Sequence, residues 1–546
     1  MGDSLSVGIQ STKTSAIQPL FPLERDMMSI YDLVYEGLVA IDDDYLPTPA
    51  LAESWEMSNG GKTWTFTLRD NVSFSDGTPL TANDVVATAQ YILNRATDPY
   101  VDDKGYYRNL QYFINSISSK GDRTVVVKTS RPYWGMLYAM TFPVLPADRV
   151  SDDNPPGTGP YVIQSFSAGD YLYLTANPLW WQTQPKVQEI TVTCYTSDKE
   201  VIESYEYARV DTIFTRSIAA AQHKSGTASL ALDYRTSQLE TLQMNNSSWE
   251  LTENVRKAIR YLVDPDKIAS NVYMGMVNRT DTPLPSGTWM YNSSITFEKS
   301  LDKAIALLEE DGWYLSEGST VRVKTNDNGD VKRLHLSFYV YEEPDNDVRV
   351  EAANMIADML AAAGIEATPT TVTLTEMSER LSAGSFDLAL VAYAMDVCPD
   401  PGFILIRGNT GNYCRYRSDN MTELCNTLRK QTTQADYQNV LYQMQQQFAD
   451  DCPFLCLYYR AGAVLTRKMY TTARNVRELE LLRGIELFHE EREGYAREGA
   501  FLQKGPLPRA PSRKGCFEGR RWGKGRFSRV YPKSQKRKKT RTKIKS

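Results

Sequence analysis

An aspartate that closely follows an apolar segment is the residue of this sequence best placed to bind a charged ligand. Residues 386–393 form a nearly continuous apolar run, and Asp396 comes three positions after it. Such a run predicts a buried strand, and ligands bind in the crevice outside the carboxyl ends of such strands. We expect Asp396 to pair there with a cationic group, because a partly desolvated carboxylate discriminates strongly for one. The alternative is that Asp396 only caps a turn or a helix.

Tyr393, the last residue of the apolar run, is a second candidate. Its ring could form an aromatic wall against a ligand. The alternative is a core tyrosine whose hydroxyl is satisfied within the protein. The sequence is compatible with both interpretations.

Recognisable catalytic motifs are absent from the sequence. The three histidines, His223, His335 and His489, lie in unrelated settings, and no G-x-S-x-G, H-E-x-x-H or phosphate-binding loop occurs. The 7 cysteines include no C-x-x-C pair, so a zinc site is poorly supported. We therefore expect no enzyme, no metal site and no cofactor. A hydrolase acting on peptides or glycans is a distant alternative.

The segments around Asp396 alternate between strand and helix patterns. Period-two or continuous apolar runs predict strands and three- to four-residue spacing predicts helices, in the order strand 334–340, helix 347–363, strand from 365, helix 375–383 and strand 386–393. An all-apolar final strand in such an alternation is typical of a parallel sheet that is covered on both faces. The sequence therefore predicts an α/β lobe that carries Asp396 at its edge.

A half-buried strand and a capped helix are predicted nearer the N-terminus. Trp64, Phe66 and Leu68 alternate with polar residues, which is typical of a strand with one buried face. Thr81 then begins a helix, with Asp84 three positions later near the positive helix end.

Length and charge divide the chain into an acidic body and a basic tail. With 546 residues the chain is too long for one core, since single cores stop growing near about 250 to 300 residues. Residues 491–546 carry 19 Lys and Arg against 4 Asp and Glu, a net charge of +15, whereas residues 1–490 carry 42 against 63, a net charge of −21. The acidic body argues against nucleic acid as its partner. We expect the tail to be disordered or artefactual, with nucleic-acid association as its alternative role.

Targeting signals are missing from the printed sequence. No run of about 18 apolar residues occurs, so no segment is expected to span a bilayer. Residues 1–6 lack the basic and apolar regions of a secretory signal. The alternatives are a cytoplasmic protein or a sequence that starts near a mature end.

An ordered set of motifs resembles the family 5 extracellular solute-binding proteins, the oligopeptide-, dipeptide- and nickel-binding components of ABC importers. The resemblance covers about residues 4 to 488. It is carried by Leu51–Trp55, Gly61–Asp70, Phe74–Val85, Gly157–Tyr161, Val255–Asp264, Ala304–Trp313, Gly384–Leu388 and the turn at Asp396.

The resemblance implies a periplasmic-binding-protein-like α/β fold of type II, a Venus flytrap with two α/β lobes, an inserted smaller domain and hinge strands near residues 240 and 460. The implied divisions are residues 1–41, 157–243 and 458–490 for lobe I, 42–156 for the smaller domain, 244–457 for lobe II and 491–546 for the tail.

The resemblance also implies a function and a site. The expected protein is a monomeric extracytoplasmic binder, in the periplasm or anchored at the outer face of the membrane, that delivers a short peptide to an ABC permease. A chelated metal such as nickel is the alternative cargo. In peptide-binding members an aspartate matching Asp396 pairs with the peptide α-ammonium, after an aromatic residue matching Tyr393. Arginines that oligopeptide binders use for the ligand carboxylate are matched here by Leu390 and Leu381, and the adjacent Arg380 is a candidate ligand-binding residue.

Overall fold

The computed structural model describes residues 4–12, 16–22, 24–101, 103–224, 230–325, 328–343, 346–467, 476–485 and 488. These residues belong to one unit, which spans residues 1–491. The predicted basic tail and His489 lie outside the described residues, as does part of the predicted final segment of lobe I.

The strands are β1 Ser4–Gln10, β2 Val39–Ile41, β3 Pro47–Pro49, β4 Ala52–Ser58, β5 Thr63–Leu68, β6 Ile114–Lys120, β7 Thr124–Thr129, β8 Tyr161–Ser167, β9 Tyr171–Ala176, β10 Glu189–Tyr195, β11 Thr212–Thr215, β12 Leu230–Met244, β13 Val277–Arg279, β14 Val323–Thr325, β15 Val331–Arg333, β16 Phe338–Tyr341, β17 Pro369–Val372, β18 Leu388–Ala394 and β19 Phe454–Thr466.

The α-helices are α1 Arg25–Tyr31, α2 Ala82–Thr97, α3 Met136–Ala139, α4 Asp198–Glu206, α5 Glu253–Leu262, α6 Pro265–Asn271, α7 Leu301–Glu310, α8 Val348–Ala361, α9 Leu374–Ala383, α10 Gly402–Leu405, α11 Asp419–Leu428 and α12 Gln434–Asp451. Short 3₁₀ helices cover Asn59–Gly61, Tyr106–Tyr112 and Ile218–His223.

One large sheet has the strand order β17-β16-β18-β12-β19-β11-β1-β10-β9-β8. At one end β16 pairs in parallel with β17 and β18, and α8 and α9 connect these strands along the chain. The βαβαβ prediction is therefore confirmed. The predicted strand 334–340 is continuous only from Phe338, and nearer its start His335 forms a single parallel bridge with Glu366.

The middle of this sheet consists of the two longest strands, β12 and β19. β12 pairs with β18 on one edge and with β19 on the other, and β19 continues to β11. The β12–β19 register shifts between Arg235 and Leu239, and such an irregularity bends a strand. The hinge predicted near residues 240 and 460 coincides in position with these strands and remains a prediction.

A buried ion-pair network joins the two middle strands to α8. Glu240 and Arg349 are both 0% exposed, and their side chains lie 2.7 Å apart. Arg460 contacts Glu240 at 2.6 Å, and Glu343 contacts Arg349 at 2.7 Å and Arg460 at 3.0 Å. Burial alone would raise the pKa of Glu240, but the two guanidinium groups hold it below its ordinary value.

A second sheet, of order β4-β5-β7-β6, is antiparallel and packs against α2. Trp64, Phe66 and Leu68 are all buried, as their alternation predicts. Thr81 donates from its backbone N and from Oγ1 to Asp84 Oδ2, both at 2.8 Å, which satisfies the start of α2.

The Gly157–Tyr161 motif allows the chain to cross close behind α1. Gly159 N donates to Val34 O at 2.9 Å. A Cβ atom on Gly157 would lie 2.0 Å from Val34 O, so a side chain is excluded there by a backbone atom. The motif therefore reflects close packing of two segments rather than ligand chemistry.

Candidate functional site: a charged and aromatic cleft

A cleft of about 1520 Å³ opens beside the carboxyl end of β18. Its walls come from the region of α1, from the loops of the smaller sheet, from the irregular segment of β12, from the turns that follow β18 and from residues 477–485. Segments distant in the chain therefore meet at one site, as expected where loops cluster at the edge of an α/β sheet.

Asp396 lies in this cleft with an exposed side chain. Its Oδ1 accepts from Cys398 N at 3.2 Å, which closes a local turn, and its Oδ2 accepts from Asn109 Nδ2 at 3.1 Å. No cationic side chain of the described residues pairs with it. Asp396 therefore caps a turn through Oδ1 and is exposed in the cleft at the same time, because the turn does not use Oδ2.

Tyr393 lies behind the cleft wall. Its ring is buried and stacks on Tyr413, with ring centroids 5.5 Å apart. Its hydroxyl donates to Gly411 O at 2.7 Å. The structure therefore places Tyr393 in the core, with a satisfied hydroxyl, and not in contact with the cleft.

Arg380 lies on α9, away from the cleft. Its guanidinium donates to Glu376 Oε1 at 2.8 and 3.1 Å and stacks over the Tyr339 ring at 4.1 Å. The one-turn spacing on the helix accounts for the pair with Glu376. The structure does not bring Arg380 together with Asp396. Although Arg380 is next to Leu381 in the sequence, it does not line the cleft.

The aromatic walls of the cleft come from several distant segments. Trp180 and Trp181 both donate from their indole nitrogens to Glu36, at 3.3 and 2.9 Å. Phe113 stacks on Tyr133 with centroids 5.3 Å apart. The signal for these residues in the sequence is weak, since only the Trp180–Trp181 pair in a polar stretch stands out.

Four of the eight arginines that line the cleft pair with a carboxylate, namely Arg25, Arg429, Arg477 and Arg483. Arg25 pairs with Glu478 at 2.8 Å and also donates to Ser237 Oγ at 2.6 Å. Arg429 contacts both oxygens of Asp400, at 2.6 and 3.2 Å. These charges are neutralised within the protein and hold the cleft walls together.

One thiol and one hydroxyl group at the cleft, those of Cys398 and Tyr133, are kept neutral by burial. Burial raises the pKa of the Cys398 thiol and of the Tyr133 hydroxyl, and the two groups lie 3.2 Å apart. A thiol with a raised pKa is a poor nucleophile. Among the described residues, no group of three or more His, Cys, Asp or Glu side chains could hold a metal ion.

A large open cleft with an exposed carboxylate, paired arginines and aromatic walls, set beside two long central strands, is suited to binding a small solute. Comparison with known proteins identifies the family. The chain belongs to the bacterial extracellular solute-binding proteins, family 5, whose model, described as "Bacterial extracellular solute-binding proteins, family 5 Middle", matches residues 47–413. Within the described part of the chain, no helix has the length and apolar character needed to cross a membrane.

Curated relatives differ in the cargo that their names give. Protein XP55 of Streptomyces lividans is 28% identical over 67% of this chain and 66% of its own length. The nickel-binding periplasmic protein of Escherichia coli is 27% identical over 57% of this chain and 62% of its own length. The chain thus spans just under two thirds of these two relatives. The oligopeptide-binding protein AppA of Bacillus subtilis is 22% identical over 84% of this chain and 86% of its own length.

Solved structures of similar proteins confirm the predicted fold. HbpA2 from Haemophilus parasuis has a TM-score of 0.76 at 20% identity and covers 90% of this chain and 100% of its own. NikA from Brucella suis, in complex with Fe(III)-EDTA, has a TM-score of 0.75 at 19% identity, with 89% and 100% covered. The α/β fold of this family therefore extends over about nine tenths of the chain.

Proposed function

We propose that this chain is the extracytoplasmic solute-binding component of an ABC importer, and that it captures a short peptide and delivers it to a membrane permease. Relatives named as oligopeptide-, D,D-dipeptide- and dipeptide-binding proteins support a peptide cargo. The proposed location is the periplasm or the outer face of the cytoplasmic membrane, and the proposed form is a monomer.

The observation that carries the peptide proposal is the position of Asp396. Its carboxylate is exposed in the cleft and is held by a neutral amide, Asn109, and by the backbone of its own turn. An ammonium group makes a charge-assisted hydrogen bond to a carboxylate, which is roughly twice as strong as a neutral one. The α-ammonium of a peptide therefore fits this oxygen better than the amide that now contacts it.

The proposed capture is closure of two lobes, with residues 1–41, 157–243 and 458–490 in one and residues 244–457 in the other. Residues 42–156 form the smaller domain, which contributes Asn109 to the contact with Asp396. A ligand that touches more than one of these parts stabilises the closed state, because its contacts favour one conformation over the other.

The test is calorimetric titration of the Asp396→Asn variant with alanine peptides of two to four residues. Asparagine keeps the size and the turn-capping oxygen but removes the charge, so we expect affinity to fall about 10- to 100-fold. Blocking the peptide amine by acetylation should produce a loss of the same order in the unaltered protein. Asp170→Asn, in the exposed β8–β9 turn outside the cleft, is the matched control.

Equal affinity of the Asp396→Asn and Asp170→Asn proteins would refute the role of Asp396. A chelated metal is the competing cargo, since relatives are named for nickel, and others for heme and glutathione. The titration therefore includes nickel with histidine, heme and glutathione. Tight binding of one of these, with no binding of any alanine peptide, would replace the peptide proposal.

A further inference from the structure

We infer that Arg235 is the anion-binding group of this cleft and that the cargo presents a carboxylate to it, a few residues away from the ammonium group at Asp396. The inference rests on the proposed function, which it narrows to a short zwitterionic peptide. Its basis is the placement of Arg235 in the cleft, its lack of an acidic partner and its position relative to Asp396.

Arg235 is held by aromatic faces. Its guanidinium carbon lies 4.7 Å from the ring centre of Tyr45 and 5.5 Å from that of Tyr459, and all three residues line the cleft. Stacking on rings engages the face of the guanidinium and leaves the N–H groups at its edge free to bind an oxyanion.

Hydrogen bonds fix the side chain of Tyr459 and the backbone of Tyr45. The Tyr459 hydroxyl donates to Pro283 O at 2.7 Å. The Tyr45 carbonyl accepts from the Tyr138 hydroxyl at 2.7 Å. The guanidinium is therefore positioned before any ligand arrives, and a pre-positioned group loses little side-chain freedom on binding.

Arg235 differs from the ion-paired arginines of the cleft in its lack of a counter-ion. Arg69, Arg108 and Arg131 also line the cleft without an ion pair among the described residues, but Arg69 and Arg108 donate to carbonyl oxygens and Arg131 is exposed. Arg25, Arg429 and Arg477 each pair with a carboxylate, at 2.8, 2.6 and 2.5 Å. Within the described part of the chain, Arg235 has neither an ion pair nor a hydrogen bond from its side chain. A partly buried cation without a partner is costly, and an anionic cargo would remove that cost.

Arg235 and Asp396 lie on neighbouring segments of the sheet. Gln238 is opposite Ala394, and Met395 N donates to Ser237 O at 2.9 Å. With a rise of about 3.3 Å per residue and about 4.8 Å between strands, the backbones of Arg235 and Asp396 are about 6 to 10 Å apart.

That proximity bears on the cargo. Both side chains extend from these backbones into the same cleft, so the two charged ends of a peptide of a few residues, at most about 3.5 Å each, can reach both groups. A longer peptide would have to supply the carboxylate from an acidic side chain near its first residues, and a metal chelate would supply it from its ligands.

The experiment compares dialanine, dialanine amide and N-acetyl-dialanine by calorimetry on the full chain and on its Arg235→Gln variant. In the unaltered protein we expect amidation to weaken binding about 10- to 100-fold, as for a lost hydrogen bond between charged groups. In Arg235→Gln, amidation should have little further effect, whereas acetylation should still weaken binding because Asp396 is intact. Arg123→Gln, an exposed arginine outside the cleft, removes the same charge and should leave the response to amidation unchanged.

Arg235→Lys keeps the charge without the planar fork, and it also covers the case in which Arg235→Gln does not fold. It should keep part of the response to amidation.

If amidation weakens binding equally in the unaltered, Arg235→Gln and Arg235→Lys proteins, the inference is overturned while the peptide proposal stands. If no alanine peptide binds but nickel with histidine binds and is weakened by Arg235→Gln, the carboxylate partner is supported and the peptide proposal fails. If nothing tested binds the unaltered protein, both fail.

Discussion

Replacing Glu240 with glutamine removes the central negative charge of the buried network on β12 and β19. The carboxylate contacts Arg349 at 2.7 Å and Arg460 at 2.6 Å, and Arg349 is 0% exposed. Glutamine leaves these two cations with Glu343 as the remaining carboxylate of the network. Because breaking a buried ion pair by removing one partner costs about 3 to 5 kcal/mol, we expect the free energy of unfolding to fall by about that amount.

The assay is urea unfolding at several pH values, with Glu298→Gln as the control. Glu298 belongs to an exposed pair with Lys303, so its loss should change stability by less than about 1 kcal/mol. The folded-state pKa of Glu240 lies below its ordinary value of 4.5, so its contribution is present above that pH and disappears as pH falls through the folded-state pKa. The deficit of Glu240→Gln should therefore be largest at pH 7 and shrink in acid. A deficit under about 1 kcal/mol at pH 7, or one that grows in acid, would refute the reasoning.

The other predictions concern packing. Tyr393→Phe removes the hydrogen bond to Gly411 and should lower the free energy of unfolding by about 1 to 3 kcal/mol with unchanged ligand affinity. Urea unfolding and calorimetry test this prediction. A tenfold loss of affinity at unchanged stability would instead place the Tyr393 ring in the cleft. Gly157→Ala places a methyl group against Val34 O and should destabilise the protein by about 1 to 3 kcal/mol or more. Thermal unfolding measures the effect of Gly157→Ala, and an unaltered melting temperature would contradict the predicted clash.

The elements were predictable from the sequence where one periodicity dominates a segment. The alternation of Trp64, Phe66 and Leu68 identified β5, and the apolar run before Asp396 identified β18, because burial of one face or of both leaves a clear pattern. Spacing on α9 could also have indicated that Arg380 pairs with Glu376.

The site was less predictable because it depends on contacts between distant segments. The alternatives for Asp396 could not be separated, since its two oxygens have different partners and one of them, Asn109, lies 287 residues away. Arg235 gave no signal at all, because its environment is made by Tyr45 and Tyr459, which are far from it in the sequence. Side-chain alternation along a strand does not show which face meets a cleft.

The order of the central strands has a consequence for how the nascent chain matures. β19 lies between β12 and β11, yet it follows β12 by more than two hundred residues. Until that late segment has paired, the facing edges of β12 and β11 are unpaired and open to intermolecular association. Completion of this sheet is therefore a late event in folding. Loss of the segment 454–466 would leave two separate, incomplete sheets rather than a smaller solute-binding protein.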